Sequence, residues 1–202
     1  MPRRFPAAFA ITLALGLVAP SQAADAPADP QRQTSWGLYV DSREAYDMKT
    51  GPGGDAVLLV DVRDPVEIMF TGFTDVVDVN IPFMTADRSR WNDKKNVFQM
   101  QRNEDFAPAI ARALAARKLG KDTAIVLMCR SGGERGAPSA KALEGQGYER
   151  VYVVVDGFEG STVKDGERKH WRLVNGWKNA GLPWSYTLNK AKMAPQDSGA
   201  PQ

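Results

Sequence analysis

The 202-residue chain has one cysteine and one histidine, and each scarcity excludes something. A single thiol cannot close an internal disulfide, so no disulfide framework braces the core. Cys129 and His170 alone leave no metal cluster of ordinary ligand spacing, and no metal or other cofactor is expected. Excess charge is scarce as well: 26 Lys and Arg face 24 Asp and Glu. So near neutrality, the chain has no electrostatic footprint for nucleic acid or an anionic membrane. No apolar run reaches the roughly twenty residues a membrane-crossing helix needs. No internal repeat is present.

The longest apolar run lies at the start, from Phe5 to Ala19, after Arg3 and Arg4 and before the small-residue stretch Ser21-Gln22-Ala23. A basic segment, an apolar stretch and a small-residue site together read as a secretory signal spanning residues 1–23, removed on export. Pro2 and the lack of Ser or Thr before Arg3-Arg4 favour the general secretory route over a twin-arginine one. The mature protein is therefore expected in the periplasm or secreted. Residues 24–34 and 188–202 are rich in Pro, Ala and polar residues without apolar period, and are expected to be unstructured. Residues 35–187 between them suit one domain with one core.

Within that stretch, strand-like and helix-like segments alternate. Ala56 to Val62, Thr123 to Met128 and Val151 to Val155 are continuous apolar runs rich in branched residues, the signature of strands buried on both faces. Gly37 to Asp41 and Val76 to Pro82 are shorter strand candidates. Helices are expected after Asp41, whose spacing to Glu44 is that of a capping box, after Pro65, from about Asn103 to Lys118 with Gly120 as the stop, and from Ala137 onward. Residues 84–95 are polar and read as a surface excursion. The alternation implies an α/β fold: a central parallel sheet of about five strands with helices on both faces.

Cys129 falls at the carboxyl end of one buried strand, followed by Arg130-Ser131-Gly132-Gly133-Glu134-Arg135-Gly136 and then a helix. In open α/β sheets ligands bind at that edge. Glycines let such a loop curl so that several backbone N–H groups converge on an anion, and arginines grip oxyanions in a fork. The same field favours the thiolate, the nucleophilic form of cysteine. A buried Cys can be merely a small apolar side chain, but this loop is wrong for a core and right for an anion cradle.

These segments resemble a known family. Residues 58–72 (LLVDVRDPVEIMFTG), Asn80-Ile81-Pro82, the Cys129 loop and residues 151–160 (VYVVVDGFEG) are similar to a rhodanese domain, the fold of thiosulfate and other sulfurtransferases. The resemblance implies that Cys129 takes sulfane sulfur from thiosulfate or a similar donor and carries it as a persulfide. A small thiol, cyanide or a protein thiol then accepts it. In those terms Arg130 and Arg135 hold the donor's oxyanion, the loop from Arg130 to Gly136 cradles the persulfide, and Asp61 and Arg63 support the site.

Two other readings stay open. Arg135 lies six residues after Cys129, a longer spacing that resembles the cell-division-cycle phosphatases and related arsenate reductases of the same fold. Met128 and Arg130 depart from that branch. The same loop would also serve a carrier that stores a persulfide for a partner without turnover. Elsewhere, Asp61 and Arg63 read as a structural ion pair at a strand end, and His170 as a surface residue. Trp91 reads as a half-buried ring, and Trp171, Trp177 and Trp184 as packing for the C-terminal segment.

Overall fold

The computed structural model describes residues 24–193. Its centre is a five-stranded parallel sheet. β2 (Val57–Asp61) and β6 (Ala124–Met128), the two runs buried at every position, pair in its middle. Outward lie β7 (Arg150–Val154) and β1 (Tyr39–Val40) on one side and β3 (Val79–Asn80) on the other, giving the order β1-β7-β6-β2-β3.

Side chains alternate across the sheet, as the period of a strand requires. Leu58, Val60, Ile125, Leu127, Val151 and Val153 face one layer with Phe106, Ile110 and Leu114 of α3 (Phe106–Ala116) and Ala140 of α4 (Gly136–Lys141). Leu59, Val126, Met128 and Val154 face the other, with Ala45 of α1 (Ser42–Thr50), Ile68 of α2 (Pro65–Thr71) and the fully buried Trp177. The expected α/β fold with helices on both faces is what the chain forms. α1 starts with the expected capping box, Asp41 accepting from the Arg43 and Glu44 N–H groups while Glu44 reaches back.

Several expectations need correction. The polar excursion after residue 84 is an antiparallel hairpin of β4 (Met84–Asn92) and β5 (Val97–Arg102), paired in register and bulged between Asp87 and Trp91. Trp91 is 52% exposed and meets Phe98 edge to face at 5.4 Å. α3 ends before Gly120: Lys118 takes the left-handed conformation (φ 58°), and Leu119 N–H bonds back to the Leu114 carbonyl. Trp171, at 61% exposure, does not pack the C-terminal segment, whereas Trp177 does, its indole N–H bonding to the Pro183 carbonyl.

The flanks expected to be unstructured lie against the domain. Residues Pro30–Arg32 form a 3-10 turn capped by Asp29, and Lys141 of α4 donates to the Gln31 carbonyl. At the other end Met193 makes a parallel bridge to Asn80, with Lys192 and Asn189 on Asp75. Polar contacts and isolated apolar ones such as Ala24, Leu188 and Met193 hold both segments, and an apolar period could not reveal them. The expected signal peptide, residues 1–23, and residues 194–202 of the expected tail lie outside the described residues.

Candidate active site

The parallel register aligns Asp61 of β2 with Met128 of β6, so Arg63 and Cys129 emerge at the same carboxyl edge of the sheet. The strand order then sets the loop after β7 and the helix after β2 on either side of Cys129. Both are anchored there. Phe158 and Glu159 N–H groups bond to the carbonyls of Cys129 and Arg130 at 2.8 Å each. Two glycines permit this approach: a Cβ on Gly157 (φ 62°) would sit 2.5 Å from the Cys129 carbonyl oxygen, and one on Gly132 (φ 64°) 1.7 Å from that of Val155.

Cys129 is 2% exposed and lines a cavity of about 320 Å³ together with Arg130, Ser131, Gly133, Glu134 and Arg135. Among the described residues, no protein acceptor takes the backbone N–H groups from Arg130 to Gly136. Backbone amide donors are rarely left without an acceptor, and these are open to one in the cavity. Five of the seven expected loop residues thus share one space with Cys129, while Gly132 lies against Val155 and Gly136 against Val153.

The arginines are held by carboxylates that sequence reasoning missed. Glu67 of α2 accepts both terminal nitrogens of Arg135 as a fork, one at 2.8 Å. Glu159 accepts from Arg130 Nε at 2.6 Å. Burial alone would lower the Arg135 pKa, but the hydrogen bonds and charge of Glu67 raise it well above its ordinary value. Burial would likewise raise the Glu67 pKa, and Arg135 holds it below the usual carboxylate range instead. Arg135 is therefore a fixed cation whose position Glu67 sets. Glu67 and Glu159 stand 68 and 29 residues from their partners, and only the strand order β7-β6-β2 signals their convergence.

Asp61 and Arg63, both fully buried, form the expected structural pair, with Arg63 Nε 2.9 Å from Asp61 Oδ1. The same guanidinium donates to Thr71 Oγ1 and the Gly72 carbonyl and lies 3.9 Å over the Phe158 ring. It therefore ties the end of α2 to the loop carrying Glu159, supporting the site without lining the cavity. His170 is exposed. Beyond Arg130, Glu134 and Arg135 a second cleft of about 490 Å³ opens between α2 and the hairpin, lined by Val66, Phe70, Val97 and Phe98.

The α/β fold thus sets a lone thiol at the carboxyl end of a central parallel strand, among unpaired amides and arginines held by carboxylates. The chain matches the Rhodanese-like domain over residues 42–163, and it belongs to that family. It is 30% identical over 146 residues to an uncharacterized protein of Rickettsia conorii, covering 72% of this chain and 94% of that one. A 65-residue stretch is 37% identical to an uncharacterized protein of Rickettsia prowazekii, covering 32% of this chain and 44% of that protein's length. The crystal structure of Rv0390 from M. tuberculosis superposes with a TM-score of 0.51 at 25% identity, covering 74% of this chain and 97% of that one.

Proposed function

We propose that the protein is a sulfurtransferase. The Cys129 thiolate attacks the outer sulfur of thiosulfate or a similar sulfane-sulfur donor, the donor's S–S bond breaks, and sulfite leaves with the electron pair. The resulting persulfide rests among the loop amides. A small thiol, cyanide or a protein thiol attacks its terminal sulfur and restores the Cys129 thiolate.

The observation that carries this reading is the setting of the thiol, among open loop amides and arginines and, among the described residues, with no buried carboxyl lining its cavity. Among the described residues, the one carboxylate lining the Cys129 cavity is Glu134, 78% exposed and paired with Lys95. Ester hydrolysis releases an alkoxide that needs a general acid, whereas sulfite departs as a stable anion and needs none. This favours sulfur transfer over the phosphatase reading. The persulfide carrier uses the same first step and differs only in turnover.

The proposal includes export by cleavage after Ala23. The backbone nitrogen of Ala24 lies 3.1 Å from Glu44 Oε2, so cleavage there would set a new ammonium beside a carboxylate, which supports the reading. Intact mass of the protein recovered from the periplasm should begin at Ala24.

Intact mass also tests the chemistry. Wild type treated with thiosulfate should gain about one sulfur atom, lost again on adding cyanide, and Cys129→Ala should gain nothing. Continuous sulfite release with cyanide as acceptor makes the protein an enzyme; a single stoichiometric burst makes it a carrier. Absence of any mass gain, with phosphate-ester hydrolysis or arsenate reduction instead, would overturn the assignment.

A further inference from the structure

Two more arginines line the Cys129 cavity, and both come from outside the stretch that matches the family, residues 42–163. Arg32 belongs to the 3-10 turn before β1, and Arg172 to the excursion after β7. Arg130 and Arg135 are engaged by Glu159 and Glu67, so much of their charge is neutralised before any ligand arrives. Arg32 and Arg172 are not engaged in this way. Among the described residues Arg32 has only Asp29, at 3.7 Å, both side chains about half exposed. Arg172 donates to the Gly160 carbonyl at 2.6 Å, and among the described residues no carboxylate pairs with it. Burial first, then the charge of Arg130, push its pKa down against the opposing pull of Glu159 and Glu67.

Four guanidinium groups therefore surround one cavity against two firmly paired carboxylates, Glu67 and Glu159, while Glu134 turns to Lys95. Asp29 offsets Arg32 only in part, at 3.7 Å and half exposed, so the cavity keeps a positive surplus. We infer that Arg32 and Arg172 form an anion-selecting wall over Cys129, which admits small oxyanions and disfavours neutral thiol reagents and donors. The cavity is at the small end of the size range for ligand sites. Thiosulfate, sulfate and phosphate share the required chemistry, and naming thiosulfate as the ligand rests on the sulfur-transfer reading. The wall itself does not.

Alkylation of Cys129 separates the two. In the mature full-length protein, the rate ratio for iodoacetate over iodoacetamide should exceed that of free glutathione by about tenfold and fall as salt rises. Arg32→Gln and Arg172→Gln should each lower the ratio about threefold, and the double variant should approach glutathione. Arg172→Lys should retain most of the preference. Sulfate should protect wild type from iodoacetamide and leave the double variant unprotected, and the KM for thiosulfate should rise in parallel.

An unchanged ratio in a double variant that still melts cooperatively would overturn the inference, even if thiosulfate continued to load Cys129. A ratio that falls as expected, in a protein that thiosulfate never loads, would uphold the wall and reject sulfur transfer. Arg32 lies in an exposed turn, so its variant keeps the test valid should Arg172→Gln fail to fold.

Discussion

Glu67 is the residue on which the site's geometry turns. Its fork to Arg135 fixes a buried cation at the end of the Cys129 loop, and its carboxylate is held below its ordinary range mainly by that partner against the opposing effect of burial. A carboxyl with a folded pKa below its unfolded value contributes stability fully above about pH 4.5, and that contribution is lost as pH falls through the folded pKa. By breaking the buried fork to Arg135, Glu67→Gln should cost about 3 kcal/mol at neutral pH and flatten the acid limb, so that the gap to wild type narrows below pH 4.5. Thermal melts across pH 3 to 7, roughly spanning ordinary carboxylate titration, would show it. Cys129 and its loop are legible in the sequence because their chemistry is contiguous. Asp61 and Arg63 are legible because they lie two residues apart at a strand end. Glu67, Glu159, Arg32 and Arg172 reach the site through the topology, and no local spacing marks them.

Elements with an apolar period are legible for a related reason. β2, β6, β7 and α3 declare themselves by what they bury, while the β4–β5 hairpin buries little and so reads as a loop. Its cohesion comes from cross-strand contacts such as Trp91 with Phe98. Helix ends are harder. α3 closes with Lys118 N–H on the Ala115 carbonyl and Leu119 N–H on that of Leu114, the paired bonds of a Schellman motif. The left-handed position is occupied by lysine, and Gly120 comes two residues too late to supply it. Lys118→Gly should raise stability by up to about 1 kcal/mol, seen as a higher denaturant midpoint with unchanged slope, and Gly120→Ala should not mimic it.

At the scale of the molecule, the parallel order of strands and the placing of the thiol at their carboxyl edge follow from the alternation of segments. The fates of the two flanks do not, since hydrogen bonds, ion pairs and isolated apolar contacts fix them. One flank brings Arg32 to the cavity. The other, through Met193 on Asn80, lies along the outer side of β3. A chain ending at Leu188 should keep its sheet and its thiol reactivity yet self-associate at concentrations where the full chain stays monodisperse, as light scattering would report. The reason is that a parallel sheet ends in two rows of unsatisfied backbone groups, which recruit strands from other molecules. Here both terminal strands are two residues long, and one is overlaid by the chain's own end. The central sheet thus presents little template for intermolecular β-pairing, and on the β3 side that protection resides in a segment whose composition reads as dispensable.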